Sequence, residues 1–378
     1  MYQYQKTNRY FAQTAEGLEE FFAAEAEKLG AKDIEKSFKG VFFTCSLETL
    51  YKINYYTRIA TRIVAPLISF DCHSTRYLYN TVSKIDFSDF MYLHDTFAVF
   101  ANVAGSIINH SQYAGLCVKD AIVDQFRKKY GERPDVNPKT PDVWFHILIN
   151  NNKAVLSLET SGGSLHRRGY RKNAVEAPMM ENVAAALIDI SGWDGEKPLI
   201  DPMCGSGTIL AEALIKHCNI PAGYLRKHFG FMHMPDFDNN VWQKIKKNAS
   251  ENIKPLDKNL INGYDIDATA VKFTRQNLSA LPNGENIEIQ NSDFRDLKLQ
   301  NKTIVTNPPY GKRIGKNLRM EDFVKQMGDF LKQNCKGSTA YIYFGRRELI
   351  KSVGLRTTRK IPLRNANLDG RVAVYEIY

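Results

Sequence analysis

The sequence predicts an α/β protein whose C-terminal half winds around a mostly parallel sheet. Three observations lead there. From residue 177 on, strand-like and helix-like runs alternate, the pattern of a parallel, doubly wound sheet. A glycine turn, Gly205-Ser206-Gly207, follows the first of those strands and opens a helix. Aspartates stand at the ends of three successive strands, where sheets of this class bind ligands.

At 378 residues the chain exceeds one ordinary core, so more than one domain is expected. A content of 43% hydrophobic and 24% charged residues is that of a globular protein in water. No apolar run reaches the ~18 residues of a membrane span. The N-terminus, Met1 to Arg9, has no apolar signal core, so a cytoplasmic location is expected. Cysteines 45, 72, 117, 204, 218 and 335 form no Cys-x-x-Cys pair, so disulfides are not expected. His217, Cys218, His228 and His233 match no zinc-ligand spacing, and no metal is expected there. The net charge of +10 favours a polyanionic partner, because neutralising phosphates gives affinity without sequence preference.

Residues 1–60 read as a small α/β unit. Leu18, Phe21, Phe22, Ala26 and Leu29 recur at helical spacing and Gly30 stops the helix. A strand follows over Gly40–Leu47 and a helix over Glu48–Arg58. Residues 61–160 form a second block, with a strand at Thr96–Val103 and a helix at Ser111–Tyr130. It ends in a hairpin of Val143–Ile149 and Ala154–Glu159 turning at Asn150–Asn152, since asparagine tolerates positive φ. Residues 161–176 are glycine-rich, basic and aromatic, and read as a flexible linker.

The third domain, 177–378, starts with a helix at Met179–Ile190 and a strand at Pro198–Asp201. The helix from Thr208 comes next, and residues 214–258 interrupt the rhythm as an insertion. Strands at Leu260–Tyr264 and Ile287–Gln290 flank a helix at Ala268–Leu281, and the apolar run at 302–306 is a further strand. A helix at Glu321–Gln333 precedes two closing strands, Thr339–Phe344 and Val372–Tyr378, which supply an antiparallel edge.

The segment Asp201-Pro202-Met203-Cys204-Gly205-Ser206-Gly207-Thr208 is the candidate cofactor loop. Its glycines allow a tight turn and close ligand approach. A dinucleotide fingerprint would place glycine at 210, where this chain has Leu210, and no Lys-Ser/Thr pair makes a phosphate-cradling loop. A carboxylate at the strand end repels anions and favours an amine-bearing or cationic ligand. S-adenosylmethionine, with its α-amine and sulfonium, fits. Asp265, followed by Ile266, is placed to take ribose hydroxyls, and Asp293 to reach the adenine amine with Phe294 against the ring. Each aspartate also reads as a helix cap or turn residue. Their recurrence at successive strand ends favours the ligand site.

Asn307-Pro308-Pro309-Tyr310-Gly311 follows the strand at 302–306. An Asn side-chain oxygen accepts a hydrogen bond from an exocyclic amine, and the Pro308 carbonyl accepts a second. The two prolines fix φ and remove competing donors, and Tyr310 offers a face for a base to stack on. The same residues also read as a strand-ending Asn-Pro turn.

Asp201–Thr208 and Asn307–Gly311, in this order, resemble the class I methyltransferases that modify exocyclic amines. The N-terminal block, Leu165-His166-Arg167-Arg168-Gly169-Tyr170-Arg171 and Ala177-Pro178-Met179-Met180-Glu181-Asn182 narrow the resemblance to THUMP-domain RNA methyltransferases, in particular the bacterial 23S rRNA guanine-N2 group. The resemblance spans essentially the whole chain. It implies a Rossmann-like domain with a seven-stranded, mostly parallel sheet, preceded by a ferredoxin-like unit and a THUMP domain that holds folded RNA. It implies that Pro178, Glu181 and Asn182 line the cofactor pocket from above and that Asn307 to Tyr310 receive the target base, Asn307 also meeting the cofactor. Arg167, Arg168, Tyr170, Arg171 and Lys172 before the domain, and Lys312, Arg313, Lys316 and Arg319 after the motif, are candidate RNA contacts. Their other reading is a solvated charged face. Some relatives continue into a second methyltransferase domain, whose activity is expected to be absent here. The Asn-Pro-Pro-Tyr motif also serves adenine-N6 enzymes acting on RNA or DNA. tRNA is the alternative RNA, and a non-catalytic RNA-binding assembly protein is a third reading.

Overall fold

A computed structural model describes residues 1–174, 178–309, 319–366 and 368–378. Its N-terminal part runs α1 (Gln3–Thr7), β1 (Arg9–Gln13), α2 (Glu19–Lys28), β2 (Lys32–Ser37), β3 (Gly40–Thr44) and α3 (Leu47–Tyr56). There follow β4 (Arg62–Asp71), α4 (Thr75–Val82), β5 (Phe97–Ala104), α5 (Ser111–Tyr130), β6 (Val143–Asn150) and β7 (Lys153–Glu159). One seven-stranded sheet, ordered β2-β3-β1-β4-β7-β6-β5, spans both N-terminal units. The long strand β4 joins them, pairing antiparallel with β1 on one side and β7 on the other. Its register slips between Pro66 and Ile68, where the proline withholds a ladder N–H.

The C-terminal part runs α6 (Glu181–Ser191), β8 (Leu199–Asp201), α7 (Thr208–His217), α8 (Asn239–Glu251), β9 (Ile261–Asp265), α9 (Ala268–Leu278), β10 (Glu288–Asn291) and β11 (Thr303–Thr306). It closes with α10 (Met320–Asn334), β12 (Thr339–Phe344), β13 (Arg359–Pro362) and β14 (Arg371–Glu376). Its sheet has the order β10-β9-β8-β11-β12-β14-β13. Strands β10, β9, β8, β11 and β12 are mutually parallel, and β14 alone runs against its neighbours. The two closing strands pair antiparallel as expected, but their place at the edge is corrected: β14 lies inside the sheet, and the edge is β13, a short polar strand. Every residue of β8 and five of the six in β12 are buried, as both faces of a central parallel strand are covered.

The insertion after α7 is an ordered joint between the halves. Asp238 caps α8, accepting from the Asn240 and Val241 N–H groups at 2.8 and 3.1 Å. Trp242 on α8 then meets Tyr55 of α3 edge-on at 5.0 Å, and Phe231 stacks on Tyr51 at 4.5 Å. The segment 161–176, expected to be flexible, is likewise packed where it is described. Leu165, Arg168 and Tyr170 are fully buried in it. Arg168 and Tyr170 share Glu212 Oε1 on α7 at 3.3 and 3.1 Å, and Arg168 also donates to the Arg58 carbonyl.

Candidate active site: a cofactor cavity at the strand switch

The strand order reverses between β8 and β11, and a cavity of about 690 Å3 opens beyond the C-terminal ends of β8, β9, β10 and β11. Asp201, Pro202, Cys204, Gly205, Thr208, Asp265, Ile266, Asp293, Phe294, Asn307, Pro309 and Pro178 all line it. Twelve positions scattered over 132 residues of sequence thus meet in one crevice, and its volume suits a ligand of nucleoside size.

The glycine turn is built by backbone need. Gly207 sits at φ +79°, and a Cβ there would come within 2.7 Å of Thr274 on α9. It lines no wall itself, yet no other residue fits the turn without moving α9. Thr274 further holds the turn through its hydroxyl, which donates to the Gly205 carbonyl at 2.7 Å.

All three aspartates have structural duties beside their place in the wall. Asp201 Oδ1 accepts from the Thr306 hydroxyl at 2.7 Å and from the Met203 N–H at 3.2 Å. Burial pushes its carboxyl up to about 7, against those two hydrogen bonds, and the Asp265 charge adds to the rise. Asp265 Oδ2 accepts from the Gly205 N–H at 2.8 Å, fixing the turn, and Oδ1 from the Asp267 N–H at 3.0 Å. Asp293 caps the short helical turn at Phe294–Asp296 and is ion-paired with Arg295, whose hydrogen bonds hold its carboxyl below the usual range. The Arg295 guanidinium lies 5.7 Å from the Phe294 ring. Cys204 is buried and its thiol is pushed well up by burial, so it is a packing residue and not a nucleophile.

Asn307 follows β11 directly, one residue beyond the Thr306 that bonds Asp201. It is half-buried on the cavity wall; Pro308 is buried behind it and lines no part of the cavity. Tyr310, Gly311, Lys312, Arg313 and Lys316, like Ala177 at the other expected wall, lie outside the described residues.

Other expected contacts are placed elsewhere. Glu181 and Asn182 are buried in the first turn of α6 and do not line the cavity. Arg168 and Tyr170 are wholly buried against Glu212, so neither can meet an RNA backbone. Arg171 is bound to Glu181, while Arg167 and Lys172 are exposed. Met179 and Met203, inside the two stretches expected at the pocket, line it too; sequence reasoning missed Ile209, Phe273 and Phe323 on the apolar wall, and Thr269 and Ala270 at the start of α9. Proximity to Asp265 marked Thr269; nothing local marked Phe323, which arrives from α10.

The site's donor set suits S-adenosylmethionine. Asp201 is a buried carboxylate, Asp265 and Asp293 are half-buried ones, and Phe273, Phe294 and Phe323 add rings, a lining whose chemistry fits an amine, a sulfonium, hydroxyls and an adenine. Among the described residues no group of three or more His, Cys, Asp or Glu is arranged to hold a metal, and no helix is long and apolar enough to cross a membrane.

Comparison with known proteins agrees with this geometry. Residues 168–373 match the RMKL-like methyltransferase domain, residues 73–159 the THUMP domain, and residues 9–64 the RlmL ferredoxin-like domain. A Synechocystis protein named as a candidate RNA methyltransferase is 36% identical, over 98% of this chain and 97% of its own. The ribosomal RNA large subunit methyltransferase K/L of Photobacterium profundum is 35% identical over 98% of this chain, which spans about half (53%) of that relative's length. Among solved structures, a candidate methyltransferase complexed with S-adenosylhomocysteine superposes with a TM-score of 0.84 at 27% identity, covering 98% of each chain. A Listeria monocytogenes protein named for N6-adenine-specific DNA methylation gives 0.85 at 25%, covering 99% of this chain and 97% of its own. The chain belongs to the RMKL-like, THUMP-bearing RNA methyltransferases, a family that depends on S-adenosylmethionine.

Proposed function

We propose that this protein transfers a methyl group from S-adenosylmethionine to the exocyclic N2 of a guanine in 23S rRNA. The observation that carries the reading is the position of Asn307. It extends the strand beside β8 and shares one cavity with Asp201, Asp265 and Asp293. An amine held by Asn307 therefore lies next to whatever those aspartates hold.

S-adenosylmethionine supplies an electrophilic methyl on sulfur. The chain's own residues supply orientation. A guanine amine is a poor nucleophile because its lone pair is delocalised into the ring. Hydrogen bonds from its two N–H groups to Asn307 Oδ1 and the Pro308 carbonyl favour a pyramidal nitrogen whose lone pair points into the cavity. Such positioning contributes several kcal/mol, and no strong base is needed because the methylated amine is acidic. The target base leaves its stack to enter, and Tyr310 is assigned to stack against it. Pro308, buried, and Pro309, on the cavity wall, carry no N–H to compete at the clamp. Asp265 is assigned to the ribose hydroxyls and Asp293 to the adenine amine.

The N-terminal sheet, with its THUMP match, supports an RNA substrate, and the K/L relatives support ribosomal RNA. Guanine N2 rests on the family resemblance. The Listeria neighbour's name keeps adenine N6 as the competing reading, since the clamp accepts either amine. Mass mapping of nucleosides in rRNA and tRNA from a deletion strain tests this. Loss of one N2-methylguanosine from 23S rRNA is expected; loss of an N6-methyladenosine, or of a tRNA methylation, would overturn it.

A further inference from the structure

Arg171 sits at the end of the packed strap, just after Tyr170 and its anchor on Glu212. Its side chain is largely enclosed, at 17% exposure. The guanidinium donates to three acceptors: Glu181 Oε1 at 2.8 Å, the Met179 carbonyl at 2.8 Å and Thr208 Oγ1 at 3.2 Å. Met179 and Thr208 both line the cavity, one from the segment ahead of α6 and the other from the first position of α7. Only a planar fork with donors on several sides spans such a set. A guanidinium engaged in this way has little left for an RNA phosphate.

We propose that Arg171 is a positioning residue for the cofactor cavity, pinning the Met179 segment to the start of α7. The inference rests on the cavity being the S-adenosylmethionine site. Glu181 is the buried anchor of the clamp. Its Oε2 has no hydrogen-bond partner among the described residues, and Arg171 is its ion-pair partner. Without the guanidinium, the Glu181 charge stands uncompensated under the cavity wall, and Met179 and Thr208 lose their shared tie. The cavity then loosens on the side where α7 begins.

The test titrates S-adenosylhomocysteine calorimetrically into the full chain and into Arg171→Gln and Arg171→Lys, with 23S rRNA binding measured in parallel. Arg171→Gln is expected to weaken S-adenosylhomocysteine binding about tenfold or more, the scale of a lost charged hydrogen bond. Arg171→Lys, which keeps the charge and loses the fork, falls between. RNA affinity stays within about twofold in both, since the side chain is engaged away from RNA. Unchanged cofactor affinity, or weakened RNA binding with cofactor binding intact, overturns the proposal. Should Arg171→Gln not fold, Glu181→Gln decides: its effect on cofactor affinity must shrink in the Arg171→Lys background, and simple additivity overturns the clamp. A wild-type chain that binds no S-adenosylhomocysteine defeats the cavity reading itself, and this inference with it.

Discussion

Asp201 is the residue whose chemistry the cavity changes most. Buried at the end of β8, its carboxyl is pushed up to about 7, because removal from water outweighs its bonds to Thr306 and the Met203 N–H. A raised folded-state value means that the folded chain holds a proton that the unfolded chain loses at ordinary carboxylate pH. This group therefore costs stability as pH rises from about 4 to about 7, and costs nothing further above it. A ligand ammonium beside it reverses the preference by favouring the carboxylate. Affinity for S-adenosylhomocysteine is expected to tighten as pH rises through about 7. In Asp201→Asn both slopes should disappear, as read by melting temperature and calorimetric titration from pH ~5 to ~8. A pH slope retained in the variant would assign it to another group. At this scale most of the site was legible: three strand-end aspartates, the glycine turn and Asn307 are local signals in local motifs. Glu181, Arg168 and Tyr170 were misplaced because charge and aromatic character do not reveal burial. Arg168 looked like an RNA contact until Glu212, 44 residues away, appeared beside it.

Elements were readable where their residues carried a periodic apolar face. Helix α5 has the expected bounds, with buried positions recurring along it, and β12 has them as an unbroken apolar run. Strands that failed this test escaped notice. Strand β2, Lys-Asp-Ile-Glu-Lys-Ser, is charged and mostly exposed, as suits an edge. Strand β4 contains Pro66, a residue rare inside central strands, and a register slip accommodates it. Helix α8 was lost in the insertion, although Phe229, Phe231, Phe237 and Trp242 recur there. Those rings form the joint with α3, so Trp242→Ala is expected to destabilise the folded chain by about 3–5 kcal/mol, the cost of a large buried aromatic. Chemical denaturation measures it. A loss below about 1 kcal/mol would show that α8 is an appendage and not a joint.

Across the whole molecule the two sheets are fastened by buried polar links as well as by aromatics. Arg58 of the N-terminal half pairs with Asp189 of α6 at 2.6 Å, and Arg168 with Glu212 of α7. Breaking one partner of such a buried pair is costly, so the halves are held in a defined relation. That relation joins the sheet that carries the THUMP match to the methyltransferase cavity in one molecule. None of it was visible locally, because each partner lies more than 40 residues from the other in the chain. If Asn307 holds an exocyclic amine at the mouth of the cofactor cavity, methyl transfer depends on it. The most direct test incubates the purified chain with methyl-labelled S-adenosylmethionine and unmodified 23S rRNA, then identifies the labelled nucleoside. Labelled N2-methylguanosine is expected, with turnover falling ~100-fold or more in Asn307→Ala while RNA binding persists. Near-normal turnover in Asn307→Ala, or label in any other nucleoside, would contradict it.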